Sequence, residues 1–302
     1  MFHGIYTPVV TPFDKNEEID YNAMLHNLNK WAGTDLDGIV VLGSNGEFVY
    51  LNEKEKLELV KFVVDNFKVD KKIIVGTTCE STKETIILSN KMSELGADAV
   101  LVLPPNYYKG GMKDDILIKH YQDVADAVTV PVMIYNMPGN TGINLTSKVI
   151  STLSKHPNIV GVKDTSGNIV QLTEIVRDTA EDFSVFAGNA GYLLPALAVG
   201  ARGATLALAN ILPEDCCKLV SLFKEGRHEQ ARKLQLLMVE INGAVTGKFG
   251  ISGLKFALDL LGYSGGEVRR PLRELSESDK EVLREIIQRY EKERDELLLS
   301  NI

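Results

Sequence analysis

The chain has 302 residues, a formal net charge of −8, 44% hydrophobic and 25% charged residues. Such proportions belong to an ordinary globular protein with a substantial core, and the acidic balance, without a clustered basic stripe, excludes a nucleic-acid surface. No apolar run approaches the roughly 20 residues that span a bilayer, so no membrane partner is expected. The three cysteines, Cys79, Cys216 and Cys217, have no metal-ligand spacing and fit free thiols. The first residues lack a basic segment followed by an apolar core, so a cytoplasmic location is expected.

Residues 4–10 read as an apolar strand closed by Thr11-Pro12. Asp20 then caps a helix with Met24, Leu25, Leu28 and Trp31 on one face. Residues 38–42 form a second strand that runs into Gly43-Ser44-Asn45-Gly46-Glu47. Asn52 with Glu55 has the capping-box spacing, and Ser81 with Glu84 repeats it after a third strand at 73–77. That helix stops at Leu95-Gly96, where glycine accepts the left-handed backbone of a helix end. Further strands are expected at 99–103, 132–135, from Ile159 to the turn after Lys163, at 184–187 and at 204–209. Helices are expected near 114–128 and 146–155, and another opens at Pro213.

Eight continuous apolar strands alternating with helices are the pattern of parallel strands covered on both faces. They predict a closed (β/α)8 barrel of the TIM type over residues 1–225. A C-terminal helical extension, residues 226–302, is expected to pack on the barrel through helices near 227–243, 250–261 and 277–298.

In such a barrel the chemistry lies at the C-terminal ends of the strands. Ile159, Gly161 and Lys163 share the inward face of strand six, and Gly161 leaves room for the lysine stem. Asp164 then points outward as a structural carboxylate. A buried ammonium without a partner is costly, and shedding the proton leaves an amine that attacks carbonyls. The alternative is a strand-end lysine that bends its head into water. Tyr135, at the end of strand five, is placed to carry protons, or is simply a core tyrosine. Backbone amides at Ser44 and Asn45 could form a nest for a carboxylate. Gly188-Asn189-Ala190-Gly191 occupies the place of a barrel phosphate loop but brings no basic residue. Tyr107 and Tyr108 could reach the pocket or a partner subunit.

Four ordered motifs carry a wider resemblance: Gly43-Ser44-Asn45-Gly46-Glu47, Pro104-Pro105-Asn106-Tyr107-Tyr108, Tyr135-Asn136-Met137-Pro138 with Thr141-Gly142, and Gly161-Val162-Lys163-Asp164. Over essentially its whole length the chain resembles the pyruvate-dependent class I aldolase family that includes dihydrodipicolinate synthase and N-acetylneuraminate lyase. The resemblance implies a Schiff base between Lys163 and the keto carbon of pyruvate, with no metal and no organic cofactor. It implies that Tyr135 is the acid/base and that Ser44, with Asn45, holds the pyruvate carboxylate. Ser44 would link Tyr135 to Tyr107 of a neighbouring subunit, in a homotetramer built as a dimer of dimers. Gly188, Ala207 and Leu208 match positions on the pocket floor of relatives.

Within the family, dihydrodipicolinate synthases carry an arginine for the aldehyde's carboxylate where this chain has Asn140, which is not a conservative change. Val49, Glu53, Lys56, Glu80 and Asn106 stand where those enzymes use other residues for lysine feedback, although Glu84 remains. The segments beginning at Gly43, Cys79, Asn140, His156 and Phe249 are similar to 4-hydroxy-2-oxoglutarate aldolase. That branch implies cleavage to pyruvate and the aldehyde glyoxylate, with Asn45, Asn140 and Thr165 in the substrate site. This is the first expectation. The alternatives are 4-hydroxy-tetrahydrodipicolinate synthase, joining pyruvate and aspartate semialdehyde, or another 2-keto-acid aldolase. Outside the aldolases stand a non-catalytic 2-oxo-acid-binding barrel and a phosphate-binding barrel enzyme.

Overall fold

A computed structural model describes residues 2–299. Eight parallel strands close into a barrel in chain order. They are β1 (Gly4–Pro8), β2 (Gly38–Val41), β3 (Lys72–Gly76) and β4 (Ala99–Val102). The second half is β5 (Val132–Asn136), β6 (Ile159–Asp164), β7 (Ser184–Ala187) and β8 (Gly203–Thr205), and β8 pairs with β1.

Strand alternation sorts the side chains into two cores. Ile5, Ile39, Val41, Val75, Val100, Ile134, Val162 and Val185 point outward and pack beneath the helices. Tyr6, Val40, Ile74, Leu101, Met133, Tyr135 and Phe186 fill the barrel interior. Tyr6 and Phe186 meet there with centroids 5.5 Å apart. So crowded an interior needs gaps between its large residues. A Cβ at Gly203 would lie 2.3 Å from the Gly4 carbonyl oxygen, and one at Gly161 would lie 2.5 Å from that of Ser184.

Local sequence explains the helix starts. Asp20 accepts from the backbone N–H groups of Asn22 and Ala23 ahead of the helix Tyr21–Ala32. The Asn52–Glu55 capping box is complete at 3.0 and 2.8 Å. At Ser81 only half of the expected box forms: Ser81 caps Glu84 N–H at 3.1 Å, without the reciprocal bond.

Strand eight is shorter than its sequence suggests. The apolar run to Ala209 breaks after Thr205, and Ala207–Asn210 is a 3-10 turn. Asn210 enforces the turn by donating its Nδ2 to Pro8 O and Ala207 O, both at 3.0 Å. After the barrel, the helix His228–Gly243 passes through a π-helical turn, Ala244–Lys248, into Gly250–Leu260, and Glu277–Leu299 follows. Leu254, Leu258, Leu283 and Ile287 join the same core as the outer face of the barrel. Among the described residues no helix is long and apolar enough to cross a membrane.

Candidate active site

Lys163 is the next-to-last residue of β6 and is only 3% exposed. It lies beside Tyr135 in the sheet register, and its Nζ sits 4.2 Å from the centre of the Tyr135 ring. Among the described residues no carboxylate pairs with it. Asp164, the nearest in sequence, faces the opposite way and is fully buried. Its oxygens already accept from Asn136 Nδ2 at 2.8 Å, Gln171 Nε2 at 3.1 Å, and Ser166 N and Oγ at 2.9 and 2.5 Å. Parity along one strand therefore separates an unpaired amine from a fully satisfied carboxylate.

Lys163 opens into a cavity of about 230 Å³ at the C-terminal ends of the strands. Ser44 reaches it from the turn after β2, with Oγ 3.4 Å from the Tyr135 hydroxyl, a long and weak contact. In that turn Gly46 N–H and Glu47 N–H close back on Gly43 O and Ser44 O. The N–H groups of Ser44 and Asn45 bond to no carbonyl among the described residues, and Asn45 Nδ2 is buried without an acceptor. Backbone donors left unmet in a turn beside the cavity can receive a carboxylate.

Glu47 holds this turn from behind. It is a non-glycine residue at φ 54°, ψ 34°, and is 1% exposed. Its Oε1 lies 2.6 Å from Lys255 Nζ, and its Oε2 accepts Arg269 N–H at 2.9 Å. Lys255, equally buried, also donates to Glu267 O at 2.5 Å. Burial pushes the Lys255 pKa down, against the opposing pull of Glu47. The C-terminal extension is thus bolted to the turn that carries Ser44 and Asn45.

The other expected site residues divide. Asn140, Thr165 and Gly188 line the cavity, and so does Ala207. Thr165 has committed its hydroxyl to Asn136 O and Met137 Sδ, at 2.5 and 2.7 Å. Gly188 is required where it stands, because a Cβ there would lie 1.9 Å from Thr165 Cγ2. Leu208 is not in the cavity. The 3-10 turn that replaces the end of strand eight rotates it into the outer core, where it is fully buried. Tyr107 does not line its own chain's cavity; it stands 76% exposed, edge-on to Tyr108.

Sequence reading gave no site role to Thr205, Val245, Thr246 and Ile251, and weighed Asn189 only within a phosphate loop; all five line the cavity. Thr205 was detectable from inward strand parity, and its Oγ1 is buried without a partner. Nothing local marks the residues from the C-terminal helices. No arginine lines the cavity, and among the described residues no three His, Cys, Asp or Glu side chains gather as metal ligands would.

Larger clefts exist, of about 460 Å³ beside Glu267 and Glu274 and about 530 Å³ at the N-terminal end of β1. The second contains Cys217, whose thiol burial pushes up to about 12, so it is protonated and unreactive. Chemistry therefore favours the smaller cavity. An amine, a phenol, a hydroxyl and an anion nest meeting there can form an imine with a 2-oxo acid.

The sequence model of the dihydrodipicolinate synthetase family matches residues 1–290. The chain is 34% identical to the 4-hydroxy-tetrahydrodipicolinate synthase of Caldicellulosiruptor saccharolyticus, over 96% of this chain and 97% of that protein. It is 37% identical to a probable mitochondrial 4-hydroxy-2-oxoglutarate aldolase of Emericella nidulans, over 93% of each. A dihydrodipicolinate synthase structure from Bacillus anthracis is similar with a TM-score of 0.91 and 32% identity, covering 95% of this chain and 98% of that one.

Proposed function

This chain belongs to the dihydrodipicolinate synthetase family and is a carbon–carbon lyase of the pyruvate aldolase type, and on that premise we propose that Lys163 forms a Schiff base with pyruvate. The observation that carries the reading is the buried Lys163 side chain, without a carboxylate partner, against Tyr135 and in one cavity with Ser44 and Asn45, whose backbone N–H groups bond no carbonyl among the described residues.

The Lys163 amine attacks the keto carbon, and the carbinolamine loses water to give a protonated imine. That imine is an electron sink. Loss of a proton from C3 gives an enamine that adds to an aldehyde; in reverse, the C3–C4 bond of a 4-hydroxy-2-oxo acid breaks and its electrons enter the enamine. Water then releases pyruvate. Tyr135 carries the protons, and the Ser44–Asn45 nest holds the carboxylate. A homotetramer belongs to this proposal, because Tyr107 could join the Ser44–Tyr135 pair only from another copy. Light scattering tests the assembly.

For the electrophile, the relatives' names support 4-hydroxy-tetrahydrodipicolinate synthase, with aspartate semialdehyde, better than 4-hydroxy-2-oxoglutarate cleavage. The first expectation is not confirmed by them. It stays as a second reading on one observation: Asn140, at the cavity rim, offers an amide where a synthase would offer a guanidinium.

Borohydride reduction in the presence of pyruvate, followed by peptide mapping, tests the class. The adduct is expected on Lys163 and is expected to be absent from Lys163→Ala; an adduct elsewhere, or full activity in that variant, overturns it. Turnover with aspartate semialdehyde against glyoxylate then separates the two readings.

A further inference from the structure

Apart from Lys163, which the imine occupies, no lysine or arginine lines the cavity, yet a carboxylate-bearing electrophile needs donors for its distal end. Asn189 meets that need by virtue of how its amide is held. Asn189 Oδ1 accepts from Gly191 N–H and from Asn242 Nδ2, both at 2.8 Å. A backbone N–H can only donate, so the oxygen end of this amide is assigned without ambiguity. Its Nδ2 is left with two donor hydrogens and no acceptor among the described residues, in a side chain that lines the cavity.

The mount is rigid. Gly188 N–H bonds Asp164 O at 2.7 Å, and Tyr192 donates its hydroxyl to the same oxygen at 2.6 Å. Gly191 supplies the clearance, since a Cβ there would crowd Asn189 Oδ1 at 3.1 Å and Asn242 Nδ2 at 3.3 Å. Asn242 comes from the helix His228–Gly243, so the C-terminal extension fixes the direction in which Asn189 donates.

The placement also suits a distal group. The Ser44–Asn45 turn follows β2, Lys163 stands on β6, and Asn189 follows β7, in a cavity that Thr246 and Ile251 also line. We propose that Asn189 is a specificity-determining residue whose Nδ2 hydrogens bind the distal carboxylate of the substrate, with Asn242 as its positioning residue. The assignment rests on the Schiff-base reading above and extends it to the second anionic group.

The test uses two 2-oxo acids of equal chain length, 2-oxoglutarate with a distal carboxylate and 2-oxopentanoate without one. Borohydride trapping on Lys163 gives the half-saturating concentration of each. In the wild type 2-oxoglutarate is expected to saturate at the lower concentration. Asn189→Ala is expected to shrink that preference roughly tenfold, the loss of one charge-assisted hydrogen bond. Asn189→Asp keeps the bonds from Gly191 and Asn242 but turns a negative oxygen to the cavity, so the preference is expected to invert. An unchanged ratio in both variants, with pyruvate still trapped on Lys163, overturns the Asn189 assignment alone. Failure of the wild type to trap pyruvate overturns the Schiff-base reading and this assignment with it.

Discussion

Replacing Lys255 with methionine tests whether the C-terminal extension holds the Ser44–Asn45 turn in shape. Methionine keeps most of the volume against Phe13, whose ring centre lies 4.6 Å from Lys255 Nζ, and removes the charge. Glu47 is then left fully buried with Arg269 N–H as its one remaining donor; Oε1, 2.6 Å from the lost ammonium, has no other partner. Breaking a buried ion pair on one side costs about 3–5 kcal/mol. The surviving Arg269 bond places this case near the lower end, about 3 kcal/mol, which is a fall in midpoint of roughly 5 °C for a chain of this size. Thermal and denaturant unfolding measure that loss. The double variant Glu47→Gln with Lys255→Met leaves no stranded charge and is expected to recover more than half of it. Because Glu47 closes the turn that presents Ser44 and Asn45, the single variant should also raise KM for pyruvate more than it lowers kcat. A loss below about 1 kcal/mol, or a double variant as unstable as the sum of its singles, would refute the reasoning.

Tyr135→Phe is expected to lower kcat by about 10² or more while borohydride still traps pyruvate on Lys163, because the variant loses the proton carrier and keeps the amine. Near-normal turnover would remove Tyr135 from that role. Thr205→Val exchanges a buried hydroxyl without a partner for a methyl group and is expected to stabilise the fold by about 1 kcal/mol in urea unfolding. A loss of that size would mean the hydroxyl is satisfied. Burial pushes the His120 pKa down to about 4, so it is neutral in the fold at pH values where the unfolded chain, near 6.5, is protonated. The unfolded state then binds the extra proton, and stability should fall by up to about 3 kcal/mol as the pH drops from 6.5 through 4. His120→Gln should flatten that part of the pH–stability curve; an unaltered slope would assign it to other groups.

Much of this arrangement is legible along the chain because it depends on local rules. Apolar runs separated by capped helices specify eight strand–helix units, and strand parity alone places Lys163 inward above Gly161 and Asp164 outward. The cap at Asp20 and the Asn52–Glu55 box follow from spacing, since their partners lie within one helical turn. Local rules fail where a distant group decides. Strand eight reads as apolar to Ala209, but Asn210 bonds back to β1, ends the strand at Thr205 and takes Leu208 out of the cavity.

The same limit explains the partners that sequence reading did not pair. Glu47 and Lys255 are ordinary surface types in isolation, and only barrel closure with the docked C-terminal helices buries them against each other. Asn189 lies in a loop that local sequence reads only as a turn; the bond from Asn242, 53 residues away, engages its oxygen. Sequence by itself therefore determined the barrel and the inward placement of Lys163 and Tyr135 at the strand ends, because strand periodicity sets which way those side chains point. Tertiary structure alone decided which remote side chains share the cavity, because contacts between distant segments depend on register and closure, which no local pattern contains.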